Sequence, residues 1–317
     1  MASFRAALQV YTREQLPQDW AMTQDNLGMA LADLARRSEG PQASAYLEQA
    51  VAAFRSALQV YTREELPQGW AGTQNNFGAA LCGLARRSGG RQALVYLQQA
   101  VAAFRAALQV YTREQLPQDW AMTQNNLGIA FTDLADRGEG PQASAYLEQA
   151  VGSFQSALEV CTREQLPQLW AATQCNLGKA FRHLAALSDR PQRTSYLEQS
   201  VAAYRGALEV CTRQQLPEAW AMTENNLGTA LRDLAIQSEG PQRMSYLEQT
   251  VAAYRSALEV RTESDLPADW LRTMRNLART YELQCDWSKA RQIYEQLLRH
   301  EPGNTHLQAK IRELANK

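Results

Sequence analysis

An asparagine recurs at intervals of fifty residues along the chain, each time near the end of a phrase such as "LPQDWAMTQNNLG". The side-chain amide of asparagine carries both a hydrogen-bond donor and an acceptor, so it can pair with the N–H and the C=O of a peptide backbone. A row of them could hold an extended chain without reading its side chains. The six members of this asparagine row are Asn26, Asn76, Asn126, Asn176, Asn226 and Asn276.

The positions around the asparagine row change along the chain. Early repeats offer Met29, Met122 and Ile129, and the second repeat has only Gly72 and Ala79 at the equivalent places and Gly83 where they carry an aspartate, which leaves the most room there. Later repeats bring basic residues, so we expect a surface that runs from apolar and mildly acidic to basic. An acidic part of a partner would lie over Lys179, Arg182, Arg232, Arg272, Arg275 and Arg279.

Each of these patterns also has a structural explanation. An asparagine at the edge of a helix interface can bond to the next helix, and six copies can be inherited by duplication alone. Any one arginine can be solvated or paired with Glu224 or Glu282. Asp25 and Asp33 are predicted to lie on a solvated helix face. The sequence leaves the binding and the structural alternatives open.

The residues that could perform catalysis are few and badly spaced. The three histidines, His183, His300 and His306, belong to no HExxH motif and to no Cys–His pair. Cys161 and Cys211 stand where other repeats carry Tyr or Arg, and the remaining cysteines lack metal-ligand spacing. No glycine-rich phosphate loop is present. We therefore predict no catalytic site, no metal and no cofactor.

The asparagines belong to a repeat that covers nearly the whole chain. Residues 101–150 match residues 1–50 at 42 of 50 positions, in loops as well as apolar positions, which indicates duplication. A fixed period of this length is typical of solenoids, propellers and arrays. Each period contains two amphipathic helical stretches, the first beginning at a proline such as Pro17 and the second following a glycine such as Gly40. No segment has the alternation of a strand.

The first helix of each period has one apolar stripe, which includes Leu27 and Leu31. At about 100° per residue, Asn26 falls at the edge of this stripe, while Gly28 lies on the opposite side, where a neighbouring helix can approach. The spacing thus predicts that the asparagine row lines one face of the array.

Small residues at fixed spacing carry a resemblance to a known family. The last unit has Leu277, Ala278, Tyr281, Ala290, Tyr294, Leu297 and Pro302 at the spacing of the 34-residue tetratricopeptide repeat. The longer periods keep these positions and add ten residues between the helices and six between units. The resemblance implies an all-α, right-handed α-solenoid (superhelix) of stacked antiparallel helix pairs.

The resemblance also implies a role for the asparagine row. First helices of tetratricopeptide arrays line a concave groove, and similar asparagine rows in O-linked N-acetylglucosamine transferase and kinesin light chain hold an extended peptide. The expected domain is residues 1–302, with a half unit at 1–16, five 50-residue periods and a last 34-residue unit at about 269–302. Residues 303–317 are expected to form a capping helix.

The N-terminal residues align with the middle of a second helix, so Phe4, Leu8 and Tyr11 are expected to expose apolar surface. We expect either a fragment of a longer array or self-association through this end. Arrays of this kind also resemble sensor regions of large bacterial multidomain proteins. A net charge of −1 does not indicate the basic surface with which proteins bind nucleic acid. The sequence also has no apolar run of the roughly 18 residues that a helix needs to cross a membrane.

The N-terminus also lacks a signal peptide, so the predicted compartment is the cytoplasm. The predicted function is a non-enzymatic scaffold that binds a protein or an extended peptide. The alternative is a self-associating assembly module or a sensor fragment of a larger protein.

Overall fold

The structure, a computed structural model, describes residues 2–317, and over that range its regular elements are all α-helices. The chain divides into two compact units, Met1–Cys161 and Thr162–Lys317. Within each unit, successive helices joined by short turns pack along one another, which makes them antiparallel pairs. The predicted fold class, an all-α array of stacked helix pairs, is confirmed.

The helices of the first unit alternate between first helices, with even numbers, and second helices, with odd numbers. They are α1 Ala2–Val10, α2 Pro17–Arg36, α3 Gly40–Ala57, α4 Pro67–Arg87, α5 Gly90–Ala107, α6 Pro117–Ala135 and α7 Gly140–Leu158. The second unit continues the alternation and ends on one additional helix. Its members are α8 Pro167–Leu187, α9 Arg190–Leu208, α10 Pro217–Gln237, α11 Gly240–Leu258, α12 Pro267–Leu283, α13 Trp287–His300 and α14 Thr305–Leu314.

Proline and glycine set the helix boundaries. Pro17 opens α2, where its missing N–H would have no partner inside the helix in any case. The turn to α3 passes through Gly40, whose φ of +59° lies in the left-handed region that glycine tolerates best. The same left-handed glycine recurs at Gly90, Gly140 and Gly240.

A glycine in each 50-residue repeat lets the paired helices approach closely. A Cβ atom at Gly128 of α6 would lie 2.6 Å from the ring of Phe154 in α7, closer than a real contact allows. The predicted side of close approach is therefore confirmed. The equivalent pairs are Gly28 with Phe54, Gly78 with Phe104, Gly178 with Tyr204 and Gly228 with Tyr254.

The ends of the described chain differ in how well their apolar side chains are covered. Leu307 and Leu314 of α14 are buried against the core of α12 and α13. At the other end, Phe4 of α1 is half-buried, whereas the equivalent Phe54 is 1% exposed. The apolar face of α1 is thus only partly open.

Arginines in the turns before the first helices link successive repeats. Arg13 donates to Gln59 at 2.7 Å, and Arg113 pairs with Glu159 at 2.5 Å. The same contact recurs as Arg63 to Gln109, Arg163 to Glu209 and Arg213 to Glu259. Because these side chains are exposed, each ion pair contributes little stability.

Candidate functional site

The asparagine row lies on neighbouring first helices in each unit. In the first unit α4 lies between α2 and α6, and in the second unit α10 lies between α8 and α12. Each of these helices carries one asparagine of the row, and all six are half-buried. The structure thus brings together Asn26, Asn76 and Asn126 in one unit, and Asn176, Asn226 and Asn276 in the other.

A cavity of about 590 Å³ opens on the first helices of the first unit, and we call it the unit 1 cavity. Asn76 and Asn126 line it, between Met29 on one side and Met122 on the other. Ala79 also lines it, where the sequence analysis placed the most room. Its other lining residues are Ala32, Asp33, Ala35, Arg36, Leu47, Phe54, Asn75, Ala80, Gly83, Arg86 and Arg87.

A polar ladder joins the first helices one residue before the asparagine row. Asn75 Oδ1 accepts from Asn126 Nδ2 at 3.0 Å and from Thr123 Oγ1 at 3.4 Å. In the second unit, Asn225 Oδ1 accepts from Thr273 Oγ1 at 3.2 Å. Thr123 and Thr273 therefore make contacts between repeats, and Asn126 bonds to the neighbouring first helix α4. Sequence reasoning missed this ladder because an angular position on one helix does not reveal which residue faces it.

Asp25 stands at the ladder position where the next repeats carry Asn75 and Asn125. Its Oδ1 and the Oγ1 of Thr73 are buried. Burial raises the pKa of Asp25 above its usual value, and hydrogen bonding with Thr73 and Asn76 of α4 lowers this pKa by less than burial raises it. The prediction that Asp25 lies on a solvated face is wrong, because α4 packs over that side of α2.

The predicted basic residues of the second unit are engaged within the chain. Arg232 pairs with Asp233 at 3.2 Å and reaches Asn276 Oδ1 at 3.5 Å. Arg182 also approaches Asp233, at 3.8 Å. Arg275 pairs with Glu301. The positive charge that these side chains offer to a ligand is therefore smaller than their number suggests.

Three further basic residues complete the description of the second unit. Arg272 pairs with Asp269 at 2.5 Å. Arg279 is exposed and lines a cavity of about 480 Å³ beside Trp287 and Lys310. Lys179 lies on α8 and is half-buried.

The two glutamates expected to pair with arginines have other surroundings. Glu282 accepts from Lys310 at 2.9 Å and from the hydroxyl of Tyr294. Glu224 of α10 is half-buried where four other repeats have glutamine. Burial and the neighbouring Glu259 raise the pKa of Glu224 to about 7, from an ordinary 4.5.

Replacing Glu224 with glutamine is expected to stabilise the protein in neutral and alkaline solution. Because folding raises the pKa of Glu224, the protonated carboxyl group stabilises the folded state. This stabilisation is lost as pH rises from 4.5 through about 7. Solvent screening of the partly exposed side chain limits the gain to roughly 1 kcal/mol. Melting temperatures at pH 4.5, 6 and 8 should show a difference that grows with pH. Glu198→Gln on α9 is the exposed control, and an equal effect of Glu224→Gln at all three pH values would contradict this account.

Two buried thiols are poorly suited to act as nucleophiles. Burial raises the pKa of Cys82 to about 12 and that of Cys175 to about 11, so both stay protonated at neutral pH. Within residues 2–317, the His, Cys, Asp and Glu side chains form no group that could hold a metal ion. No described helix has the length and apolarity needed to cross a bilayer.

Solved structures provide the comparison with known proteins. The C-terminal part of a TPR repeat-containing protein from Cytophaga hutchinsonii is similar with a TM-score of 0.57 at 12% identity, over 98% of this chain and 95% of that one. A structure of the APC/C hetero-tetramer Cut9–Hcn1 is similar with a TM-score of 0.54 at 14% identity, over 99% of this chain and 51% of that one. No family model and no curated protein matches the sequence. The chain therefore has the fold of a tetratricopeptide-repeat protein.

Proposed function

We propose that the chain is a non-enzymatic scaffold that holds an extended peptide segment of a partner protein on its first helices. The observation that carries this proposal is the unit 1 cavity, where two members of the asparagine row stand among apolar side chains. Small-molecule and peptide sites are commonly concave and apolar, with a few polar groups that fix the orientation of the ligand. A volume of about 590 Å³ lies within the usual range for such sites.

The hydrogen-bonding capacity of Asn126 supports a backbone contact. Its amide nitrogen uses one N–H on Asn75. A carboxamide has a second N–H and an oxygen with two lone pairs, so it can still accept from a peptide N–H and donate to a peptide C=O. The structural and the binding role of the asparagine are therefore compatible in the same side chain.

The second unit would receive the acidic part of the partner. Arg279 is exposed beside the cavity that contains Lys310 and Trp287. The other basic residues would add to the positive electrostatic potential of this surface while their contacts within the chain remain in place. The proposed contacts are the three asparagines of that unit with Lys179, Arg182, Arg232, Arg272, Arg275 and Arg279.

The test is selection of linear peptides from a displayed random library on the full chain, followed by methionine oxidation with hydrogen peroxide. Met29 and Met122 are 40% and 39% exposed at the unit 1 cavity, whereas Met244 of α11 is 43% exposed on a second helix. A bound peptide is expected to slow oxidation of Met29 and Met122 and to leave Met244 unchanged. Met244 is thus an internal control of matched exposure.

Two outcomes would count against the proposal. One is a library that yields no peptide that binds the full chain. The other is a set of peptides that protect Met244 while Met29 and Met122 oxidise at the rate of the free protein, which would place the binding surface on the second helices.

A further inference from the structure

We infer that the unit 1 cavity is an anchor pocket for one aromatic side chain of the partner peptide, with a carboxylate next to it in the peptide sequence. This inference rests on the proposed function, because it concerns the same surface. It adds a specificity that hydrogen bonds from asparagines to the peptide backbone do not provide.

The pocket exists because one repeat lacks side chains that its neighbours have. Ala79 occupies the position that holds Met29 in the repeat before and Ile129 in the repeat after. Gly83 replaces an aspartate that both neighbouring repeats carry, but a Cβ there would lie 3.1 Å from Leu47, so Leu47 takes that space and the open volume lies at Ala79. Since α4 lies between α2 and α6, the missing volume opens a cavity with a wall on each side.

The floor of the pocket and two of its sides are apolar. The floor includes Phe54 and Leu47, which are 1% and 5% exposed, and the walls are formed by Met29 and Met122. Methionine adapts its shape to an aromatic ring and makes favourable sulfur–aromatic contacts. A flat aromatic side chain between two methionines would therefore remove apolar surface from water on both of its faces.

The charges at the edge of the pocket favour a neighbouring carboxylate. Asp33 pairs with Arg36, and Arg86 pairs with Asp133 at 2.9 Å, so these charges are balanced. Arg87, the last residue of α4, is exposed and forms no ion pair within the described chain. The pocket edge thus carries one positive charge, which attracts an acidic residue beside the anchor and repels a basic one.

The experiment uses peptides selected from the library on the wild-type chain, synthesised and measured by fluorescence anisotropy. Filling the pocket by Ala79→Trp is expected to weaken binding by roughly thirtyfold or more, the effect of losing a central anchor. Ala102→Trp is the matched control, because Ala102 is an exposed alanine of the second helix α5. It should leave the affinity unchanged.

A double-mutant cycle tests whether the loss of affinity comes from the aromatic side chain of the peptide. Replacing the peptide's aromatic residue with alanine should cost the same roughly thirtyfold against the wild type and little against Ala79→Trp. If Ala79→Trp lowers the melting temperature more than Ala102→Trp does, Ala79→Met repeats the test with the residue found at position 29.

The charge at the edge of the pocket is tested in the same way. Arg87→Glu should weaken binding about fivefold, and amidation of the peptide carboxylate should weaken binding to the wild type only. Arg312→Glu on α14 carries the same change in net charge and should have no effect.

The inference and the proposed function fail in different ways. Selected peptides that protect Met29 and Met122 but bind wild type and Ala79→Trp equally would overturn the anchor pocket and leave the scaffold in place. Selected peptides without an aromatic residue would do the same. A library that yields no peptide would remove the proposed function itself.

Discussion

Replacing Gly128 with valine is expected to lower the free energy of unfolding by about 2–4 kcal/mol. A Cβ at this position would meet the ring of Phe154 at 2.6 Å, and Phe154 is fully buried between helices. Overpacking of a dense core typically costs about 1–3 kcal/mol, and a β-branched side chain cannot rotate away from the ring. Urea unfolding followed by circular dichroism would measure the loss.

A second glycine of the same unit provides the control. Gly152 of α7 is exposed, and a Cβ there would meet nothing within 4 Å. Gly152→Ala should therefore stabilise the protein by up to about 1 kcal/mol, through helix propensity alone. In a Gly128→Ala background, Phe154→Leu should recover part of the loss. A Gly128→Val protein as stable as the wild type would contradict the packing described here.

Removing Asn76 and Asn126 together is expected to weaken peptide binding by about a hundredfold or more. Each lost hydrogen bond leaves a buried peptide group without a partner, which costs about 1–3 kcal/mol, and every 1.4 kcal/mol is about tenfold in affinity. The Asn76→Ala, Asn126→Ala double variant would be compared with the wild type by anisotropy, on peptides taken from the library.

Stability measured on the same proteins separates binding from packing. Asn126→Ala should lower the free energy of unfolding by about 1 kcal/mol, because it removes the 3.0 Å bond to Asn75. Asn26 makes no side-chain hydrogen bond in the described chain, so Asn26→Ala should leave stability unchanged. Loss of stability with intact binding would mean that the repeated asparagine only joins helices.

The sequence was sufficient to predict the helix pairs and the close approach at the glycines. The fifty-residue period fixes which positions are equivalent, and the apolar stripe around Leu27 fixes which side of each first helix is covered. Pro17 and Gly40 mark boundaries because their backbone preferences act locally, without help from distant residues. The unit 1 cavity was also foreseeable, since Ala79 stands where its neighbours have larger side chains.

The polar ladder and the partners of the arginines could not be predicted in the same way. Whether Asn126 reaches Asn75 depends on how far α6 is shifted along α4, which is a property of packing between repeats. Arg232 reaches Asn276 of α12 for the same reason, whereas its partner Asp233 is simply the next residue of α10. Asp25 was assigned to water because its neighbours on α2 are polar, whereas α4 covers it in the folded chain.

The most direct test of the binding account is a crystal structure of the full chain with the tightest peptide from the library. The account predicts an extended peptide across α2, α4 and α6, with its backbone hydrogen-bonded to the carboxamides of Asn76 and Asn126. A peptide seated on the second helices, or one that crosses the first helices without touching either asparagine, would contradict it.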